Sequence, residues 1–375
     1  MSHPAAHLTR EEVEEIGRQL AALREEMLAD LGEEDAAHIR RIVRLSRASA
    51  VAGRTLLMFG VTPVSFTLGV AALSTAKILE NMEIGHNVMH AQYDWMNDPA
   101  LDSRTYEWDI VCDSSQWRHY HNYEHHTFTN VLGKDRDVGY GLLRISPEQR
   151  WKPKHLLQPA SNVLLSLLFQ WGVALHDMDP VRVLASSRDD EETKARRAEF
   201  PAKWQQFLRK AGHQLFKDYV FFPALATWNA PRVLVGNLTA NTIRNVWTNV
   251  IIFCGHFPEG TRVFTREESD SETRGDWYLR QMQGSANIEG GSWFHVMTGH
   301  LSHQIEHHLF PDIPAWRYPQ MAPRVREICE RYGLPYNTGS FAEQYGSVLR
   351  NLVRYALPPG WGGAAATPAA SLPAA

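Results

Sequence analysis

The stretch HLSHQIEHHLFP, His300 to Pro311, sets four histidines among nine positions, with Glu306 between them and His295 just upstream. Side chains at i and i+4 of a helix share a face. On that reading His303 and His307 point together, and His308, turned by about 100°, reaches the same spot from the side. The same grammar occurs twice more. GHNVMH pairs His86 with His90, and WRHYHNYEHH pairs His121 with His125, with His126 adjacent and His119 two positions ahead of His121.

Two H-x-x-x-H-H units in a chain of 18 histidines read as metal ligands, whereas the isolated His3, His7, His38, His155 and His213 read as ordinary core or surface residues. Zinc closes its shell with about four ligands, so eight or nine imidazoles imply two ions. Imidazole suits Zn, Cu, Fe and Ni alike, and the donor type leaves the metal open. The H-E-x-x-H protease motif is absent. Cys112, Cys254 and Cys329 form no C-x-x-C pair, which excludes a zinc ribbon and suits a reducing compartment. A net charge of −4 provides no basic field for nucleic acid, so no such partner is expected.

Around the histidine windows the chain is apolar. Residues 55–76 carry no charge, and Gly60 and Pro63 interrupt them; a hairpin of two helices is expected, with Arg40, Arg41, Arg44, Arg47 and Arg54 holding its open end in the cytoplasm. A second apolar stretch covers 156–175. A third covers 219–257, broken by Pro223, Pro231, Arg232 and Arg244; an arginine there must face a protein interior or a polar cavity. Residues 9–31 predict an amphipathic helix with a Thr9/Glu12 capping box and Val13, Ile16, Leu20, Leu23 and Met27 on one face. The charged run 178–217 reads as a loop with a short helix. Three regions follow: 1–47, an amphipathic and basic cytoplasmic segment; 48–355, the membrane domain; and 356–375, a Pro/Ala/Gly tail expected to be disordered.

HNVMH, HNYEHH and QIEHH together resemble the three histidine boxes of the membrane fatty acid desaturases, and QIEHHLFP resembles the linoleoyl-CoA and front-end branch. The resemblance covers about residues 55–355. It implies an all-α, integral membrane fold of four helices with a cytoplasmic cap, two iron ions (Fe2+/Fe3+), O2 as co-substrate and a long-chain acyl substrate on CoA, acyl-carrier protein or phospholipid. It implies iron ligation by His86, His90, His121, His125, His126, His256, His307 and His308. Gln304 stands at the remaining box position, with His303 the favoured ninth ligand and His300 the other candidate. Hydrogen-bond partners for the imidazoles are expected among Glu83, Asp94, Asn122, Glu124, Asp135, Asp137 and Glu306, above all Glu124 and Glu306, which sit between ligands. If the boxes are to meet, the number of crossings between Arg54 and His86, and between His126 and His303, must be even.

The implied reaction is O2-dependent insertion of a cis double bond into a saturated or monounsaturated chain. No G-x-G-x-x-G unit and no fused cytochrome b5 motif is present, so electrons are expected from a separate ferredoxin- or flavin-type reductase. A hydroxylase on the same scaffold and a metal-binding membrane transporter are the competing readings.

Overall fold

The computed structural model describes residues 5–185 and 190–361. His3 and the part of the tail from 362 onward lie outside the described residues.

The N-terminal helix, Arg10–Ala29, has the expected capping box: Glu12 N–H donates to Thr9 Oγ1 while Thr9 N–H donates to Glu12. Its apolar face, Val13, Ile16, Leu20 and Leu23, is buried in one core with Tyr278, Phe310 and Tyr318. The next helix, Glu33–Phe59, turns over at Gly60 and returns as Pro63–Ile78, where Thr62 caps the N-terminus and proline takes the first position, whose N–H needs no partner. The two legs touch closely. A Cβ on Gly53 would lie 2.7 Å from the Leu73 backbone nitrogen, so only glycine permits the approach.

Asp35, fully buried at the start of the hairpin, accepts Arg317 Nε at 2.5 Å and Nη2 at 2.6 Å, with Trp316 Nε1 at 2.9 Å. Burial pushes this carboxyl up, but the Arg317 hydrogen bonds and the Gly32 N–H outweigh burial and hold it below its ordinary range. A folded-state value depressed in this way gives stability that is present above the unfolded value of about 3.9 and is lost as pH falls through the folded one. Arg317→Met should therefore cost about 3–5 kcal/mol at neutral pH by stranding a buried carboxylate. Thermal midpoints of both proteins, compared at neutral pH and near pH 3, check this; the gap should shrink at low pH.

Three further segments depart from expectation. The stretch 156–175 is not one helix; it breaks at Leu168 into Gln158–Leu167 and Phe169–Met178, ten residues each. The charged run holds a helix of 26 residues, Glu191–Phe216. Phe200, Trp204, Phe207 and Ala211 recur on it at helical spacing and pack against Trp108 and Trp117, an apolar stripe that the surrounding charges hide. The helices are joined by one small parallel sheet, Asn287–Glu289 beside Thr338–Ser340, with Ile288 opposite Gly339, so the described residues are all-α apart from these two short strands.

Among the described residues no helix is long and apolar enough to cross a membrane. Pro63–Ile78 has 16 residues, and Ala230–His256, with 27, is diluted by asparagines at 237, 241, 245 and 249 and by Arg244. Large apolar side chains are nonetheless exposed along these elements, Leu68 at 55% and Leu238 at 56% among them, and beside them at Phe59 and Trp228.

Candidate metal centre

The hairpin's second leg does not end at Ile78. It widens into a π-helical segment, Leu79–His86, that delivers His86 and then His90. The second window is built alike: Ser114–Arg118, capped by Asp113, runs into the π-helical His119–His125. Such turns concentrate at functional sites. They keep i and i+4 together, with ring centroids 4.6 Å apart for His86 and His90 and 5.0 Å for His121 and His125. His256 closes the helix Ala230–His256, and His307 and His308 lie on Gln304–Leu309.

Eight imidazoles converge. Ligand nitrogens of His86, His90, His121 and His307 lie within 4.8 Å of one another, and those of His125, His256 and His308 form a second such group. His126 stands between the groups, its ring 4.6 Å from His90 and 4.5 Å from His308. Burial disfavours the charged imidazolium. It brings His86 down to about 4 and holds His90, His121, His126, His307 and His308 well below their usual range. Neutral rings carry the lone pair a metal takes.

The outer nitrogens are held by chain oxygens. His86 Nδ1 is 3.0 Å from Asn87 Oδ1, His125 Nδ1 3.0 Å from Asp135 Oδ2, and His308 Nδ1 3.0 Å from Thr129 Oγ1. Thr129 donates its hydroxyl hydrogen to the His125 carbonyl, so toward His308 it can only accept. His308 Nδ1 must then carry the proton, which leaves the Nε2 lone pair facing inward. Tyr318 does the same for His307: its OH donates to the Phe310 carbonyl and lies 3.4 Å from His307 Nδ1. Inside, Nε2 of His90, His121 and His307 and both nitrogens of His126 are buried without a partner among the described residues. Lone pairs aimed at shared points and acceptors fixing the far nitrogens fit a pair of ions bound by histidine.

His303 is not drawn in. The helix begins at Gln304 and His303 is its N-cap, with φ −109° and ψ 58°, so the i, i+4 relation to His307 does not hold. Its ring packs on His295 instead, at 4.6 Å. His300 turns away to Glu83, 2.9 Å from its Nδ1. Gln304 faces the site, its Nε2 3.1 Å from His256 Nε2, and Gly255 makes room for it, since a Cβ there would lie 2.8 Å from Gln304 Cγ.

Two of the expected partners hold where reached: Asp135 as above, and Asp137, 3.5 Å from His125 and 3.0 Å from His176. Burial alone would raise Asp137, but His176 and His125 hold it at about 2. The favoured pair do other work. Glu124 meets Arg136 at 3.3 Å, and Glu306 accepts from Asn287 and Tyr336. Asn122 donates to the Met89 carbonyl and Asp94 accepts from Ser103. Glu83 joins His38 to His300, and exposed His119 stacks on Tyr123. Asn87, Thr129, Tyr318 and His176 carry no comparable sequence signal; only Asn87, adjacent to His86, is hinted at locally.

The histidines open onto a cavity whose walls include Trp108, Ile110, Phe169, Val173 and Ile252.

Residues 59–340 match the family described as Fatty acid desaturase. Over 357 residues, 94% of this chain and 82% of the relative, the sequence is 48% identical to the NADPH-dependent stearoyl-CoA 9-desaturase of Mycobacterium tuberculosis. It is 28% identical over 281 residues to the sn-1 linoleoyl-lipid 6-desaturase of Synechocystis (72% of this chain, 74% of the relative). It is 26% identical over 303 residues to human Fatty acid desaturase 3 (79% of this chain, 62% of the relative).

Proposed function

The chain belongs to the fatty acid desaturase family, and from that premise we propose that it removes two hydrogens from adjacent methylenes of a long-chain acyl-CoA to leave a cis double bond. The observation that carries this reading is the junction of eight histidines, seven buried and His121 partly so, with a cavity walled in part by Trp108, Ile110, Phe169, Val173 and Ile252. The proposed ligands are His86, His90, His121, His125, His126, His256, His307 and His308. Bound there, two iron ions would supply the oxidising power needed to break unactivated C–H bonds with O2.

The chain's own residues do the rest. Trp108, Phe169, Val173 and Ile252 exclude water and align the methylenes beside the histidines. Thr129, Tyr318, Asn87 and Asp135 fix the tautomers of His308, His307, His86 and His125. O2, the two hydrogens taken from the chain, two electrons and two protons leave together as two waters. The electrons come from NADPH, which the name of the mycobacterial relative includes, and they arrive through a separate reductase, a reading supported by the lack of a βαβ unit for a dinucleotide among the described residues. The exposed apolar side chains of the hairpin and of Ala230–His256, such as Phe59, Val61, Leu68, Val235 and Leu238, support seating in a membrane. The arginines at 40–47 would keep the histidine cap on the cytoplasmic side.

Incubation of the iron-loaded protein with octadecanoyl-CoA, O2, NADPH and a reductase, followed by mass spectrometry, tests the reaction. A product lighter by two hydrogens, with the double bond at the ninth carbon as in the mycobacterial relative's name, is expected. An oxygenated chain without a new double bond would overturn the proposal in favour of hydroxylation.

A further inference from the structure

The cavity does not close on an apolar wall. Arg244, Asn245 and Thr248 line it from within the helix Ala230–His256, with Arg244 roughly 18 Å along the axis from His256. Arg244 is 2% exposed. Its Nε donates to Asn245 Oδ1 at 3.1 Å, but its Nη2 is buried with no partner among the described residues, and so is Thr248 Oγ1.

A structural arginine in this fold looks different. Arg280 sends Nη1 to the Thr129 carbonyl and Nη2 to Thr127 and Glu272. Around Arg244 the acids are already engaged. Asp218 accepts Lys77 Nζ at 2.8 Å and Asn241 at 3.0 Å and lies 3.5 Å from Arg54, while Asp109 is held by Lys217 and Gln214. Arg54, Lys77 and Lys217 thus occupy the two carboxylates nearest Arg244, and neither acid gives its guanidinium a hydrogen bond, on a cavity wall that also carries Asn245 and Thr248. A guanidinium stays protonated and offers a donor there that only an oxygen can satisfy.

We propose that Arg244 reads the substrate: together with Thr248 it binds an acceptor oxygen carried by the chain in the cavity. This rests on the acyl-chain reading above. The oxygen is either the acyl carbonyl or a hydroxyl or carboxylate at the far end of the chain. Arg244 is in this role a specificity-determining residue, and where it holds the far end of the chain it favours a polar end over a bare methyl.

Equilibrium binding to the purified, iron-loaded protein without reductant, so that no turnover occurs, distinguishes the sources. Quenching of Trp108 and Trp117, which face the cavity, is the readout. The probes are octadecanoyl-CoA, S-octadecyl-CoA, which lacks the carbonyl, and the ω-hydroxy derivative of octadecanoyl-CoA. If the carbonyl is held, S-octadecyl-CoA binds about tenfold more weakly; if the far end is held, the ω-hydroxy chain binds about tenfold more tightly. In either case Arg244→Met removes the difference. The wild-type comparison stands alone should that variant fail to fold. Affinities within about twofold across all three probes in the wild type, or a difference that survives in Arg244→Met, overturn the inference. Loss of all binding, octadecanoyl-CoA included, would sink the acyl-chain reading itself and the inference with it.

Discussion

Replacing His126 with alanine is expected to strip the site of metal and abolish desaturation. His126 touches both histidine groups: its ring lies 4.6 Å from His90, 4.7 Å from His307 and 4.9 Å from His121 on one side, and 4.5 Å from His308 on the other. Both of its nitrogens are buried without a partner among the described residues. Losing a hydrogen-bond partner behind a ligand costs about 10–100-fold in affinity or activity, so losing a ligand shared by both groups should cost turnover at least about 10³-fold, roughly 4 kcal/mol. Iron per chain should fall from about two to below one. His303→Ala is the matched control, because His303 packs on His295 and touches neither group; its iron content should equal that of the wild type. Comparable thermal midpoints of the two metal-free variants would exclude unfolding as the cause. Full iron in His126→Ala would refute the proposed ligand set.

His303 also marks the limit of what spacing reveals. The i, i+4 rule holds for His121/His125 because the π-wound helix runs through both, and for His86/His90 because the helix continues past His86 to His90 at its C-cap, whose N–H donates to the His86 carbonyl. It fails for His303/His307 because the helix starts between them, and helix starts are fixed by contacts that a short window does not contain. The same holds for the outer partners. Asp135 lies close in sequence to His125 and is found by proximity, whereas Thr129 meets His308 across 179 positions. Glu124 and Glu306, adjacent to ligands, are turned by the helix toward Arg136 and Tyr336. Proximity in sequence put them in view, and helical phase took them out of reach.

The fold was legible where apolar pattern and capping agree, as in the Thr9/Glu12 box and the hairpin broken at Gly60. It was not legible in Glu191–Phe216, where charge masks an apolar stripe, nor at Leu168, where an apolar run gives no sign of its break. Arg244 is the instructive intermediate. The expense of an isolated charge in an apolar segment predicted an inward or cavity-facing side chain, and it is buried on the cavity wall.

The other large effect is expected from Asp135→Asn. Asp135 Oδ2 takes the His125 Nδ1 hydrogen at 3.0 Å and the Asn130 N–H at 2.8 Å, while Oδ1 takes the Asp137 N–H at 2.9 Å and the Tyr120 hydroxyl at 3.4 Å. Every direction around this carboxylate is a donor. An asparagine has one acceptor oxygen, so whichever way its amide turns, its NH2 meets hydrogens on one side. If the NH2 faces His125, the Nδ1 hydrogen loses its acceptor and the ring's preferred tautomer is no longer enforced. If it faces Asp137, the loop 135–137 that carries the second acid must shift. The carboxylate also raises His125 against the burial that would lower it. Asp135→Asn should therefore weaken iron binding by about 10–100-fold. Asp137→Asn should do less, because its carboxylate sits 3.5 Å from His125, beyond a well-formed hydrogen bond. Competition for iron against a chelator of known affinity measures both. Equal losses for the two variants, or none for Asp135→Asn, would show that the imidazole is oriented by packing alone.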